Sequence, residues 1–153
     1  MFLNKIKTNK NFDSDDKILN AMNSFSNLKI LIIGETMIDE YVFCEALGKS
    51  GKEPVLVLRD INKERYIGGT AAIARNLSSF CKKVTLLTNI GERKEEKQFI
   101  KKHFQKNINT VFLAKKNSPT IIKKRFVDHI NKTKILGVYS INDQPLNKQE
   151  ELK

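Results

Sequence analysis

The apolar positions of this chain change period several times, and those changes mark out its elements. Ile18, Leu19, Met22 and Phe25 recur at helical spacing, with Ser14 placed to cap the helix and Asp15 and Asp16 in its first turn. Leu28 to Glu35, "LKILIIGE", is a continuous apolar run ending at a glycine. That is the pattern of a strand buried on both faces in a parallel sheet. "EYVFCEAL" and "PVLVLRDI" are shorter, interrupted by polar residues and separated by the turn "GKSGKEP", so they predict strands with one wet face. Ile73, Leu77, Phe80 and Cys81 predict a helix over residues 70–81.

"KVTLLTNIG" predicts a second buried strand. "KEEKQFIKKHFQK" predicts a Lys-rich helix with Phe99, Ile100 and Phe104 inward, and "NTVFLA" a third strand. "TIIKKRFVDH" and "KILGVYS" read as two strands of a hairpin joined through "INKT". The first 13 residues and the tail "INDQPLNKQEELK" are polar, and neither predicts a further element. Strands alternating with helices imply an α/β fold with a parallel sheet, and the interposed short strands imply a small side sheet. Three core strands are fewer than such sheets usually carry.

Composition narrows the class. Forty per cent apolar residues suit a globular domain, and no apolar run approaches the roughly 20 residues that span a bilayer. No signal-peptide pattern opens the chain, and Cys44 and Cys81 form no CxxC pair. These features predict a cytoplasmic protein without a membrane partner. The net charge is +11, and residues 91–134 hold 13 basic and 4 acidic residues, an excess of 13 − 4 = +9. Such a patch can attract nucleic acid or a phosphorylated ligand. The cations are 23 Lys against five Arg, and no nucleic-acid module signature accompanies them, so nucleic acid is disfavoured.

Three places carry candidate chemistry. Asp39 follows the turn at Gly34 and is read as a loop residue beyond the carboxyl end of the first strand, where open α/β sheets bind ligands. A carboxylate there can accept hydrogen bonds from two neighbouring sugar hydroxyls, or serve as a helix cap or solvated loop residue. Gly68 and Gly69 stand at the mouth of a helix, either to let a ligand approach the backbone or to make a turn. Lys123 and Arg125, two apart on a strand, share a face and can grip a sugar phosphate or stay solvated. The spacing is neither GxGxxG nor a Walker loop. No metal-ligand set and no catalytic residue is assigned.

In order and spacing, "GETMIDEY", "GKEPVLV", "YIGGTAAIARNL", "VTLLTNIG" and "PTIIKKR" resemble the N-terminal half of the ribokinase-like, or PfkB, carbohydrate kinases. The likeness is greatest to the sugar-kinase domain of bifunctional heptose-7-phosphate kinase/nucleotidyltransferase proteins. Gly34, Met37, Asp39 and Tyr41 match a motif G-D-x-M-x-D-x-Y. Gly68, Gly69, Ala71, Ala74 and Asn76 match G-G-A-A-N-x-A-x-N, and Thr120, Lys123 and Arg125 match T-x-x-K-x-R. Glu35 replaces an Asp of the first motif and Ala72 the sugar-binding Asn of the second.

The resemblance implies a ribokinase-like sheet over residues 28–143 with lid strands at about 41–66 and 120–140. It also implies a linker-like extension over residues 1–27 and a polar tail over 144–153. It implies a site for a sugar or sugar phosphate built from Asp39, Gly68, Gly69, Asn76, Lys123 and Arg125, and a homodimer through the lid. The family uses ATP and Mg, with a G-A-G-D motif in the C-terminal half that supplies the anion hole and base. No GxGD occurs in this sequence. The resemblance therefore implies a truncated kinase that binds no cofactor alone. It is expected to act as a fragment, as a sugar-binding or dimerisation module, or as one half of a split enzyme whose other half is a partner.

Overall fold

The computed structural model describes residues 12–146 and 148–152, so most of the polar N-terminal stretch lies outside the described residues. The apolar stripe at Ile18 to Phe25 belongs to helix α1, Phe12–Phe25, and Ser14 falls within it rather than ahead of it. The stripe is exposed on this chain, and its last turn borders an apolar groove of 240 Å³ with Leu28, Leu77 and Phe80.

The largest difference from the sequence reading is β1. A single strand, Lys29–Lys49, replaces a short buried strand, a loop and a second short strand. Two patterns meet in it. Over residues 29–35 it pairs in parallel with β3, Lys83–Gly91. Beyond Thr36, alternate side chains (Ile38, Glu40, Val42, Cys44) are buried at the strand period of two, and the backbone continues without a break. Asp39 is therefore a strand residue, corrected from a loop position: both its backbone edges are taken by neighbouring strands.

The outer half of β1 pairs antiparallel with β2, Leu56–Gly68, and in parallel with β5, Ile121–Asp128. β5 then pairs antiparallel with β6, Lys134–Ser140, the hairpin read from "INKT". Strand β4, Ile108–Lys115, flanks β3, and the path runs β4-β3-β1-β5-β6 with β2 on β1. The short strands thus form the inserted lid, and they join the core strands through one shared strand.

Helix α2, Gly69–Ser78, covers one face of β4-β3-β1. Ile67, Ala71, Ala74, Val84, Leu86 and Ile90 pack there with Ile100 of α3, Lys97–Lys102. The Lys-rich helix is shorter than its sequence pattern because Lys94 takes a positive φ of 55° and the chain turns again at His103. Asn107 Nδ2 donates to the carbonyls of Ser78 and Cys81, tying the end of α2 to the start of β4. The tail, expected to lack structure, ends in a short helix α4, Lys148–Glu151, and Lys115 Nζ donates to the carbonyls of Asn142 and Gln144 to hold it. On the opposite face of β4-β3-β1, Leu31 and Ile33 are 60% and 67% exposed. Among the described residues, no strand pairs with the second edge of Lys29–Glu35.

The lid is held by charge as well as by backbone bonds. Glu40 points to the face opposite Asp39, with Arg65 and Lys124 directly across on its two neighbours. Arg65 Nε lies 3.2 Å and Lys124 Nζ 3.1 Å from the carboxylate, whose side chain is 8% exposed. Arg65 also donates to Glu96 at 2.5 Å and stacks over Phe99, so the lid is tied to the segment leading into α3. Replacing Glu40 by Ala leaves these cations facing one another. We expect a loss of about 1–3 kcal/mol in urea unfolding, discounted because Arg65 and Lys124 are part-solvated.

Asp128 closes the β5–β6 hairpin by accepting the N–H groups of Asn131 and Ile130, and the Asn131 bond chiefly holds its carboxyl below the usual range. A depressed carboxyl stabilises above its unfolded value near ~3.9 and loses that contribution as pH falls through the folded value. The stability difference between the protein and Asp128→Asn should therefore be full at pH 6 and close as the solution is acidified below about pH 4. Thermal melts across that range measure it.

Candidate functional site

Gly68 and Gly69 end β2 and begin α2 where β1 changes neighbours, from β3 to β2. Gly69 has φ +57°, and a β-carbon on it would stand 2.5 Å from the carbonyl oxygen of Glu35. At Gly68 a β-carbon would stand 2.6 Å from Asp39 Oδ2. The pair therefore serves two demands: one glycine lets the helix mouth lie against β1, and the other leaves room for the Asp39 carboxylate. No side chain caps α2. Beneath the turn, Thr88 Oγ1 donates to Thr36 Oγ1 at 2.9 Å, and Thr70 Oγ1 lies 3.4 Å from both. These hydroxyls tie β1, β3 and α2 at one level.

Asp39 is flanked by Tyr66 on β2 and Lys123 on β5, and Tyr41 by Glu64 and Arg125. All share one face of the lid. Arg125 Nη1 donates to Asp39 Oδ1 at 2.6 Å, and this bond chiefly raises the Arg125 pKa above its usual value. The guanidinium stands 5.5 Å from the ring centre of Tyr41 and 5.8 Å from that of Tyr139, while Lys123 Nζ is 5.9 Å from Tyr139. Tyr66 donates to Glu64, which raises its phenol pKa. The face thus offers one carboxylate, two cations and three amphipathic rings around the helix mouth, a set able to bind a polyol that carries an anionic group.

The structure brings Asp39, Gly68, Gly69, Lys123 and Arg125 together. It does not bring Asn76 to them: that residue is exposed in the second turn of α2, about 10 Å along the axis from Gly69 at a rise of ~1.5 Å per residue. The sequence reading missed Tyr66 and Tyr139 as neighbours of the site. Tyr139 was recoverable from the hairpin, whose register sets it opposite Lys123. Cavities of 380 and 230 Å³ lie at the carboxyl ends of β3 and β4, bordered by Asn89, with Lys115 and Asn142 on the larger. Among the described residues, no cluster of His, Cys, Asp and Glu is arranged to hold a metal, and no helix is long and apolar enough to cross a membrane.

Comparison with known proteins decides the family. The profile of the pfkB family carbohydrate kinases matches residues 27–152. The chain belongs to the PfkB family. A bifunctional protein HldE from Campylobacter jejuni is 35% identical over 101 residues, 66% of this chain and 21% of that protein. A D-beta-D-heptose 7-phosphate kinase from Bordetella bronchiseptica is 29% identical over 97 residues, covering 63% and 31%. A carbohydrate kinase structure from Agrobacterium tumefaciens superposes with a TM-score of 0.51 at 17% identity, covering 72% of this chain and 34% of that one. This PfkB chain therefore spans about a fifth of the length of its bifunctional relatives. Its mixed sheet, parallel across β4, β3 and β1 and mixed in the lid, is the ribokinase-like arrangement.

The PfkB glycine pair gives a direct test of the turn. Gly69→Ala must place a β-carbon at positive φ against a backbone oxygen that cannot rotate away. We expect a loss of about 2 kcal/mol or more, read as a lowered thermal midpoint.

Proposed function

We propose that this chain is the sugar-binding part of a PfkB carbohydrate kinase and that its ligand is a sugar or sugar phosphate held on the lid face. The observation that carries this reading is the placement of Asp39 against Gly68 with Lys123 and Arg125 on the same face. Asp39 accepts two ring hydroxyls, the uncapped first turn of α2 presents backbone N–H groups, and Lys123 and Arg125 hold an anionic substituent. The heptose 7-phosphate kinase relative favours a heptose phosphate as the substrate class. A cytoplasmic location fits the two free, buried cysteines.

ATP and Mg belong to the family reaction. The described residues do not fit them, for they supply neither an acidic cluster for the metal nor a GxGD loop for the base. We therefore assign this chain binding and orientation of the sugar and no step of phosphoryl transfer. The open face at Leu31 and Ile33 supports a complementary half that brings those parts, as in a split or truncated kinase. A second reading, a non-catalytic sugar-binding or dimerisation module, rests on Val55, Leu56, Val57 and Val138, apolar residues exposed on the lid strands and their turn. Val42 takes no part in that surface, being buried within the lid.

Calorimetry with heptose 7-phosphate should show binding that Asp39→Ala abolishes, and unchanged affinity in that variant would refute the site. The chain alone should consume no ATP across a panel of sugars and sugar phosphates. Losing a single oxyanion donor costs roughly 10²–10³ in rate, and this sequence contains no GxGD loop to supply the base and the anion hole. Turnover that disappears in Asp39→Ala would assign a base within these residues.

A further inference from the structure

The protein has three tyrosines and no tryptophan, and all three tyrosines stand on the face that carries Asp39. Tyr41 and Tyr66 meet edge to face with ring centres 6.0 Å apart, and Tyr41 and Tyr139 flank the Arg125 guanidinium. Gly137 lies directly across from Arg125 on β6, so no side chain there competes for the space the guanidinium occupies.

Within this wall Arg125 already has an anion. Its Nη1 donates to Asp39 Oδ1 at 2.6 Å, with the side chains 18% and 26% exposed. The other carboxylate oxygen faces Gly68. The carboxylate proposed to receive sugar hydroxyls is thus partly spent on a cation. A neutral sugar that takes Asp39 for itself leaves a part-buried guanidinium between two rings without a counter-charge, a costly state. A ligand bearing a phosphate removes that cost, because the phosphate accepts the Arg125 fork and the Lys123 ammonium on the same face.

We propose that the Asp39–Arg125 ion pair is an exchangeable latch that makes this site select phosphorylated over neutral sugars. The phosphate draws Arg125 away, and Asp39 is released to the hydroxyls in the same event. The latch rests on the reading of this face as the sugar site and adds to it the rule by which the site chooses.

Tyrosine fluorescence reports on this face, since no other aromatic emitter of that kind exists in the chain. It would be followed with calorimetry on the full chain, using heptose 7-phosphate, the parent heptose and inorganic phosphate as probes. Heptose 7-phosphate should bind about tenfold or more tightly than heptose, the scale of one charged hydrogen bond. Arg125→Gln should bring the two sugars within about threefold of each other, by weakening heptose 7-phosphate and, with the competing cation gone from Asp39, tightening heptose. Arg125→Lys, which keeps the charge without the fork, should fall between, and it serves if the Gln variant does not fold.

The deciding arm is Asp39→Asn. Removing the competing carboxylate should tighten inorganic phosphate binding about tenfold, whereas a carboxylate that merely props Arg125 in place would make the same variant bind phosphate less well. Weaker phosphate binding in Asp39→Asn, or equal affinity of the protein for both sugars, overturns the latch and leaves the sugar site standing. Failure of both sugars to bind overturns the site itself and the latch with it.

Discussion

The architecture depends on the backbone hydrogen bonding of one long strand. β1 gives its first seven residues to a parallel pairing with β3 and the rest to β2 and β5. At the handover, Thr36 bridges to Gly69, and β2 must end so that α2 can begin over the core. The glycine pair, the threonine cluster and the position of Asp39 all follow from that change of partner. A loop at this point would leave Asp39 free to wander; a continuous strand fixes its direction to within the strand's own stiffness.

The same continuity explains how two adjacent acids do different work. Asp39 and Glu40 point to opposite faces because strand side chains alternate. Glu40 meets cations from both neighbouring strands, Arg65 on β2 and Lys124 on β5, whereas the two cations on the Asp39 face, Lys123 and Arg125, both come from β5. On the Glu40 side the charges are packed against the body of the protein and joined to Glu96 and Phe99. On the Asp39 side they are walled by tyrosines that remain half-open to solvent. One face consumes its charges in holding the lid, and the other keeps them available.

Much of this was legible in the sequence. β3 was read at its observed bounds, and the β5–β6 hairpin was marked by its polar turn. The motifs around Gly34, Gly68 and Thr120 pointed to the PfkB family, which the family profile bears out. What was lost was continuity: a glycine after an apolar run reads as a strand end, yet Gly34, at φ +152°, lies inside β1 and stays paired with Thr88. Helix lengths were overestimated for a related reason. The apolar period of Phe99, Ile100 and Phe104 persists through turns that periodicity alone cannot distinguish from a helix, and the break at Lys94 is a backbone event without a sequence mark. Side-chain partners across strands, such as Arg125 with Asp39, depend on register between segments 86 positions apart, which no local pattern encodes.

That separation also orders events in time. The β1–β2 pairing is a local hairpin, closed through a turn near Ser50 to Val55, and its low sequence separation lets it form before the distant partners of β1 are made. β5 reaches β1 only after β3, α3 and β4 have been made, and its loop-closure entropy is correspondingly larger. Until then the lid half of β1 exposes a bare edge beside Asp39 and Glu40, two negative charges side by side in sequence. On a nascent chain those charges act as gatekeepers, discouraging that edge from pairing with a neighbour before its own strand arrives.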